Sequence, residues 1–252
     1  MRSAVVVGLG QMGGTFAHGL LRSGIAVVPV TRALPLERVA AEVDPELCLV
    51  AVGEGALPGV LSALPSAWRA RVALLQNELF PDVWRAHGIA DPTVAVVWFE
   101  KKATTAVRVI LPTPIAGPHA AILGGALDEL AIPNRVVTQE ELLDELVLKD
   151  LYILTANVAG LEVGGTVGRL WTDHHALAVR VAGDVLALSS WRTGVAPARE
   201  ALFARLGDAF LADPDHACTG RTARERLERA RARARAAGLA VPELDRIASM
   251  IS

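Results

Sequence analysis

The stretch VVVGLGQMGGTFAHGLLRSGIAVVPVTR, residues 5–32, decides the reading of this chain. Three valines run into Gly8-Leu9-Gly10-Gln11-Met12-Gly13, a helical segment follows, and a second apolar run stops at Thr31-Arg32. A GxGxxG turn between a strand and a helix is the context in which backbone N–H groups cradle a dinucleotide pyrophosphate. The first glycine allows the tight turn, the second admits the phosphates, and the third lets helix and strand pack closely. The anion then sits at the helix N-terminus, where unpaired N–H groups and the dipole favour negative charge. At the end of the second strand, an acid would hydrogen-bond a ribose 2′-hydroxyl and repel a 2′-phosphate. Arg32 instead offers a planar cation to that phosphate, and Thr31 can add a hydroxyl. The expected cofactor is NADPH/NADP, held by residues 8–13 (Gly8, Leu9, Gly10, Gln11, Met12, Gly13) with Thr31 and Arg32. The plain alternatives are a glycine-rich turn without a ligand and one surface arginine among many.

Outward from this stretch, short β-branched runs alternate with helical segments. Strands are expected at 4–7, 26–30, 47–52, 72–75 and 94–97, with an extended segment at 107–111 and connecting helices at 14–23 and 55–64. The alternation predicts βαβ units and a parallel sheet covered on both faces. Prolines thicken through LPTPIAGP and at Ile132-Pro133-Asn134, which reads as the end of this domain. The texture then changes. Thr138-x-x-Glu141 is a capping box opening a long helix, and helical patterns continue to the end of the chain. The expected fold is α/β, an N-terminal Rossmann-type parallel-sheet domain (1–134, NADP-binding) followed by an all-α C-terminal domain (135–252, catalytic and substrate-binding).

Composition narrows the classes. The 252 residues suffice for one large or two ordinary domains. No apolar run approaches the roughly 18 residues of a membrane span. Arg2 before SAVVVGLG makes a poor signal peptide, since glycines and Gln11 interrupt its apolar region. Cys48 and Cys218 are too far apart in sequence for a metal or redox motif. With 25 basic and 27 acidic residues, nothing draws the whole molecule to nucleic acid or membrane. The arginine-rich segment 220–238 is interrupted by Glu225 and Glu228 and reads as a solvated helix face. Adjacent His174 and His175 point in different directions, so no metal site is expected. A cytoplasmic location is the default.

VVGLGQMGG, Arg32, LLQNEL, the helix carrying Lys149 and the C-terminal ARARAAGLAVPELDRIASM together resemble the ketopantoate reductase (2-dehydropantoate 2-reductase) family. The resemblance covers nearly the whole chain. It implies that NADPH delivers hydride to the keto carbon of a 2-oxo acid, with Asn77 contacting the cofactor, Lys149 as catalytic lysine and Asn157 as a substrate-binding asparagine. Chemistry agrees for Lys149: reducing a carbonyl places charge on oxygen, and lysine can both stabilise it and give up a proton. A surface lysine is the simpler alternative. Asn157, eight residues on, lies roughly 80° round the same helix. Departures concern the substrate. Ile153 and Val167 stand where the family has asparagines, Gly53 and Glu54 where it has a lysine, and Thr222-Ala223 where it has Thr-Glu; its Ser-Ser-Met is missing. Residues 99–105, with Glu100 and Lys101, fall at a strand end near the expected cofactor. The expected function is an NADPH-dependent oxidoreductase acting on a 2-oxo acid. Its alternatives are a reductase of a more apolar ketone, oxo acid or imine, and a non-catalytic NADPH sensor. The expected partners are a small-molecule carbonyl substrate and, at most, a second copy of the chain as a homodimer.

Overall fold

In a computed structural model, which describes residues 2–251, the first half alternates as its sequence pattern demands. It runs β1 (Ser3–Val7), α1 (Gln11–Arg22), β2 (Ala26–Val30), α2 (Leu36–Glu42), β3 (Leu47–Val50), α3 (Leu57–Ala63), a 3₁₀ turn (Ser66–Arg71) and β4 (Val72–Leu74). There follow α4 (Pro81–Arg85), β5 (Thr93–Ala95), β6 (Phe99–Glu100), β7 (Arg108–Val109), β8 (Thr113–Ala116), α5 (Ala120–Asp128) and β9 (Asn134–Val136). The seven-stranded sheet has the order β2-β1-β3-β4-β5-β8-β9, while β6 and β7 form a separate hairpin. β1 and β3 are buried along almost their whole length, which is why they read as continuous apolar runs rather than alternations. α1 and α5 cover one face, burying Phe16, Leu20, Leu123 and Leu127 against Val6, Leu49 and Ile115.

Two expectations fail at the prolines. LPTPIAGP is not the end of the domain: it contains β8, antiparallel to β5. The sheet is therefore mixed rather than wholly parallel. The Val96 N–H donates to the Pro114 carbonyl (2.9 Å), but Pro114 has no N–H to return, and β5 stops one residue earlier. Nor does the sheet end at Asn134, because β9 begins there and pairs in parallel with β8. The segment 107–111 yields only the two residues of β7, paired with β6 outside the main sheet.

The rest is helical: α6 (Gln139–Val163), α7 (Val167–Asp173), α8 (His175–Thr193), α9 (Arg199–Ala212), α10 (Ala223–Ala237) and α11 (Pro242–Met250). The capping box forms as read. The Thr138 N–H donates to Glu141 Oε2 (2.8 Å) and the Glu141 N–H to Thr138 Oγ1 (3.2 Å). The chain divides into two compact units, Met1–Glu145 and Leu146–Ser252, and the border falls inside α6. The first turns of α6 belong with the sheet because Arg135 Nη2 donates to Glu145 Oε1 (2.7 Å) and Gln139 Nε2 to Asp91 Oδ1 (2.8 Å). In the helical unit, the Asp184 carboxylate of α8 caps α11, accepting from the N–H groups of Glu243 (2.8 Å) and Leu244 (3.1 Å). Burial pushes that carboxyl upward, against the pull of these two donors. Among the described residues, no helix is long and apolar enough to cross a membrane.

Candidate functional site

The parallel strands bring the expected nucleotide-binding residues to one edge of the sheet unit, at the carboxyl ends of β1, β2 and β4. Gly8 has φ +92°, and its N–H donates to the Val30 carbonyl (3.1 Å), tying the ends of β1 and β2. A Cβ on Gly13 would collide with the Gly8 carbonyl oxygen, so this glycine is required for the turn to close. Gly10 differs, since a Cβ there meets nothing within 4 Å. That space lies before α1, whose N-terminus has neither a side-chain cap nor an acid in its first turn. An N-terminus left so is a ready place for an anion. Leu9 and Gln11 are exposed and Met12 is half-buried.

Beyond β2, the Thr31 and Leu34 backbones exchange hydrogen bonds, and the Leu34 N–H also donates to Thr31 Oγ1 (3.2 Å). The hydroxyl of Thr31 still has its proton to donate. Arg32 is exposed on this turn, and among the described residues it makes no hydrogen bond or ion pair.

After β4, Gln76 is buried and pins the neighbouring strand end: Nε2 donates to the carbonyls of Val50 (2.7 Å) and Val52 (3.1 Å). It thereby fixes Asn77, whose Nδ2 donates to Glu54 Oε1 (3.3 Å). Glu78 follows at φ +55°, a left-handed conformation held by a buried non-glycine residue. Neither the Glu54–Asn77 pair nor this strain was read from the sequence; a glutamine within an apolar run was the one available signal.

In the helical unit, α6 is buried almost all round. From residue 146 to 160 only Ile153 and Asn157 are not buried. With Lys149 they recur every four residues, so Lys149, Ile153 and Asn157 form one stripe. Lys149 is itself buried, with Nζ 5.5 Å from the centroid of the Tyr152 ring, a cation–π contact the sequence reading missed. Asn157 Oδ1 faces Gly220, ahead of α10. Val167 is fully buried at the start of α7 and presents nothing to a ligand. His175 packs edge-on against Trp171 (4.4 Å between centroids), and Arg231 of the arginine-rich helix pairs with Glu228 and Asp245.

No protein-family model matches the sequence, and a search of curated proteins finds no match. Solved structures do match. A probable 2-dehydropantoate 2-reductase from Bacillus subtilis superimposes with a TM-score of 0.71 at 17% identity, covering 99% of this chain and 98% of that one. A dimeric ketopantoate reductase from Staphylococcus aureus gives 0.67 at 15% identity, covering 99% and 97%. D-mandelate dehydrogenase, in a ternary structure with NADH and anilino(oxo)acetate, gives 0.68 at 12% identity, again covering 99% and 97%. The fold is thus a Rossmann-type sheet unit followed by a helical unit. More narrowly, the chain has the fold seen in the 2-dehydropantoate 2-reductases, matched over nearly its full length.

Proposed function

We propose that the chain is a cytoplasmic, NADPH-dependent reductase that transfers hydride to the carbonyl of a 2-oxo acid. The uncapped, acid-free N-terminus of α1, with open space at Gly10, is the observation that carries this reading. The sheet unit holds the cofactor through Gly8 to Gly13, Thr31, Arg32 and Asn77, and the helical unit supplies Lys149 and Asn157. When bound, the cofactor provides the hydride. Lys149 holds a proton at Nζ for the carbonyl oxygen, and Asn157 orients the substrate. The similar folds are those of proteins named as 2-dehydropantoate 2-reductases and as a D-mandelate dehydrogenase, which favours a 2-oxo acid or its 2-hydroxy counterpart. A homodimer is also proposed, by analogy with the dimeric enzyme. Ile153, in the middle of the Lys149–Asn157 stripe, favours a second reading, a more apolar oxo acid, ketone or imine. The test is loss of NADPH absorbance against a carbonyl panel that includes ketopantoate. Tight NADPH binding with no turnover on a broad panel would point to a sensor instead.

Because D-mandelate dehydrogenase holds NADH on the same fold, the preference for NADPH rests on Arg32. NADPH is expected to bind about tenfold more tightly than NADH, roughly 1.4 kcal/mol. Arg32→Asp should invert that order. Fluorescence titration of both cofactors reads it, and equal affinities in the unmodified protein would remove Arg32 from the site.

The two glycines should separate structure from binding. Gly13→Ala is overpacked against backbone and should cost about 1–3 kcal/mol of stability. Gly10→Ala has room, and its φ of −68° suits alanine, so stability should change by less than about 0.5 kcal/mol. Its methyl nevertheless occupies the approach to the pyrophosphate, so NADPH affinity should fall about tenfold, or roughly 1.4 kcal/mol. Thermal denaturation with and without NADPH measures both.

A further inference from the structure

Beside the glycine turn the sheet unit holds a cavity of about 620 Å³. Gly10 and Gln11 of the turn form one wall, and Lys101 and Val107 of the β6–β7 hairpin another. Leu130, Ala131 and Ile132 line a further side, and no acidic side chain lines it among the described residues. The hairpin is anchored to the helix that follows the turn, since the Phe99 ring packs on Phe16 of α1 with centroids 6.2 Å apart. Lys101 is also held. Its ammonium donates to the carbonyls of Lys102 (3.0 Å) and Thr105, which clips it into the hairpin turn. An ammonium has three donors, so one is left over. Lys102, by contrast, turns to Glu100 (3.7 Å).

We propose that Lys101 is a ligand for the pyrophosphate of the dinucleotide, reached across this cavity, so that the β6–β7 hairpin forms a wall of the cofactor site. The inference rests on the dinucleotide reading above. Charge supports it. The pyrophosphate carries two negative charges, whereas a helix N-terminus offers only about half a positive one. A lysine fixed across the same cavity supplies much of the difference. Clipping the ammonium in advance reduces the side-chain entropy lost on binding.

The experiment titrates the full chain with NADPH and with adenosine 2′-phosphate, a probe that has the 2′-phosphate and no pyrophosphate. Lys101→Met should weaken NADPH about tenfold, the value of one hydrogen bond to a charged group. Adenosine 2′-phosphate should stay within about twofold, and Lys101→Arg should recover most of the NADPH affinity. The affinity of Lys101→Met for NADPH should also fall less steeply with salt than that of the unmodified chain. Equal weakening of both probes would mark Lys101 as a structural clip and overturn the proposal, as would unchanged NADPH affinity. Failure of the unmodified chain to bind NADPH would defeat the cofactor reading and this inference with it. Tight binding that ignores Lys101→Met defeats this inference alone.

Discussion

Lys149→Ala is expected to lose about 10²–10⁴-fold in turnover on whichever carbonyl compound the panel identifies, the usual worth of a general acid. NADPH affinity should stay within a few fold. The lysine is buried on a helix that is itself largely buried, with its ammonium over the Tyr152 ring. A buried ammonium in such a place stabilises charge developing on a carbonyl oxygen far better than one in water. Lys149→Arg is the sharper probe, because it keeps the charge and removes the transferable proton. It should recover little of the rate. Near-normal turnover in Lys149→Arg would eliminate proton donation and leave electrostatic stabilisation alone.

Ketopantoate, the default substrate of the fold's namesake enzymes, is expected to be reduced about 10- to 100-fold less efficiently than a branched aliphatic 2-oxo acid. Ile153 stands between Lys149 and Asn157 on one stripe of α6 and is only half-buried, at the position where the resemblance calls for an asparagine. A substrate hydroxyl brought there loses water without gaining a partner, at about 1–3 kcal/mol. Each 1.4 kcal/mol is a factor of about ten. Val167, the other apolar replacement, lies in the core, and no polar contact comes from that side chain. Ile153→Asn should narrow or reverse the preference in kcat/KM. An efficiency of about 10⁵ M⁻¹s⁻¹ on ketopantoate, normal for a dedicated enzyme, would sink this expectation.

How much of this could be read in advance varied with the source of each feature. The glycine turn, β2 and the Thr138–Glu141 box depend on neighbours in sequence, and the local pattern contained them. β8 does not. Its proline looks like a terminator, and only the partners on either side show that Thr113 and Ile115 carry the bonds to β9 while Pro114 faces the end of β5. Lys149 and Asn157 were legible as residues on one helix. That Ile153 joins them, and that Tyr152 lies under the ammonium, follows from which sides of α6 are buried. Glu78 is the clearest limit: nothing in QNEL announces a left-handed glutamate, because the surrounding fold imposes that conformation.

The two open edges of the sheet bear on self-association. In β2, the Val30 carbonyl points inward to accept from Gly8, so Pro29, one residue earlier, faces outward without an N–H. At the opposite border β9 has three residues, one of them Arg135. Both borders therefore make poor templates for another chain's strand, and each resists runaway polymerisation by β-addition. A second copy that joins this protein should do so through helices, and infrared spectra of a dimer should show no gain of intermolecular β-structure.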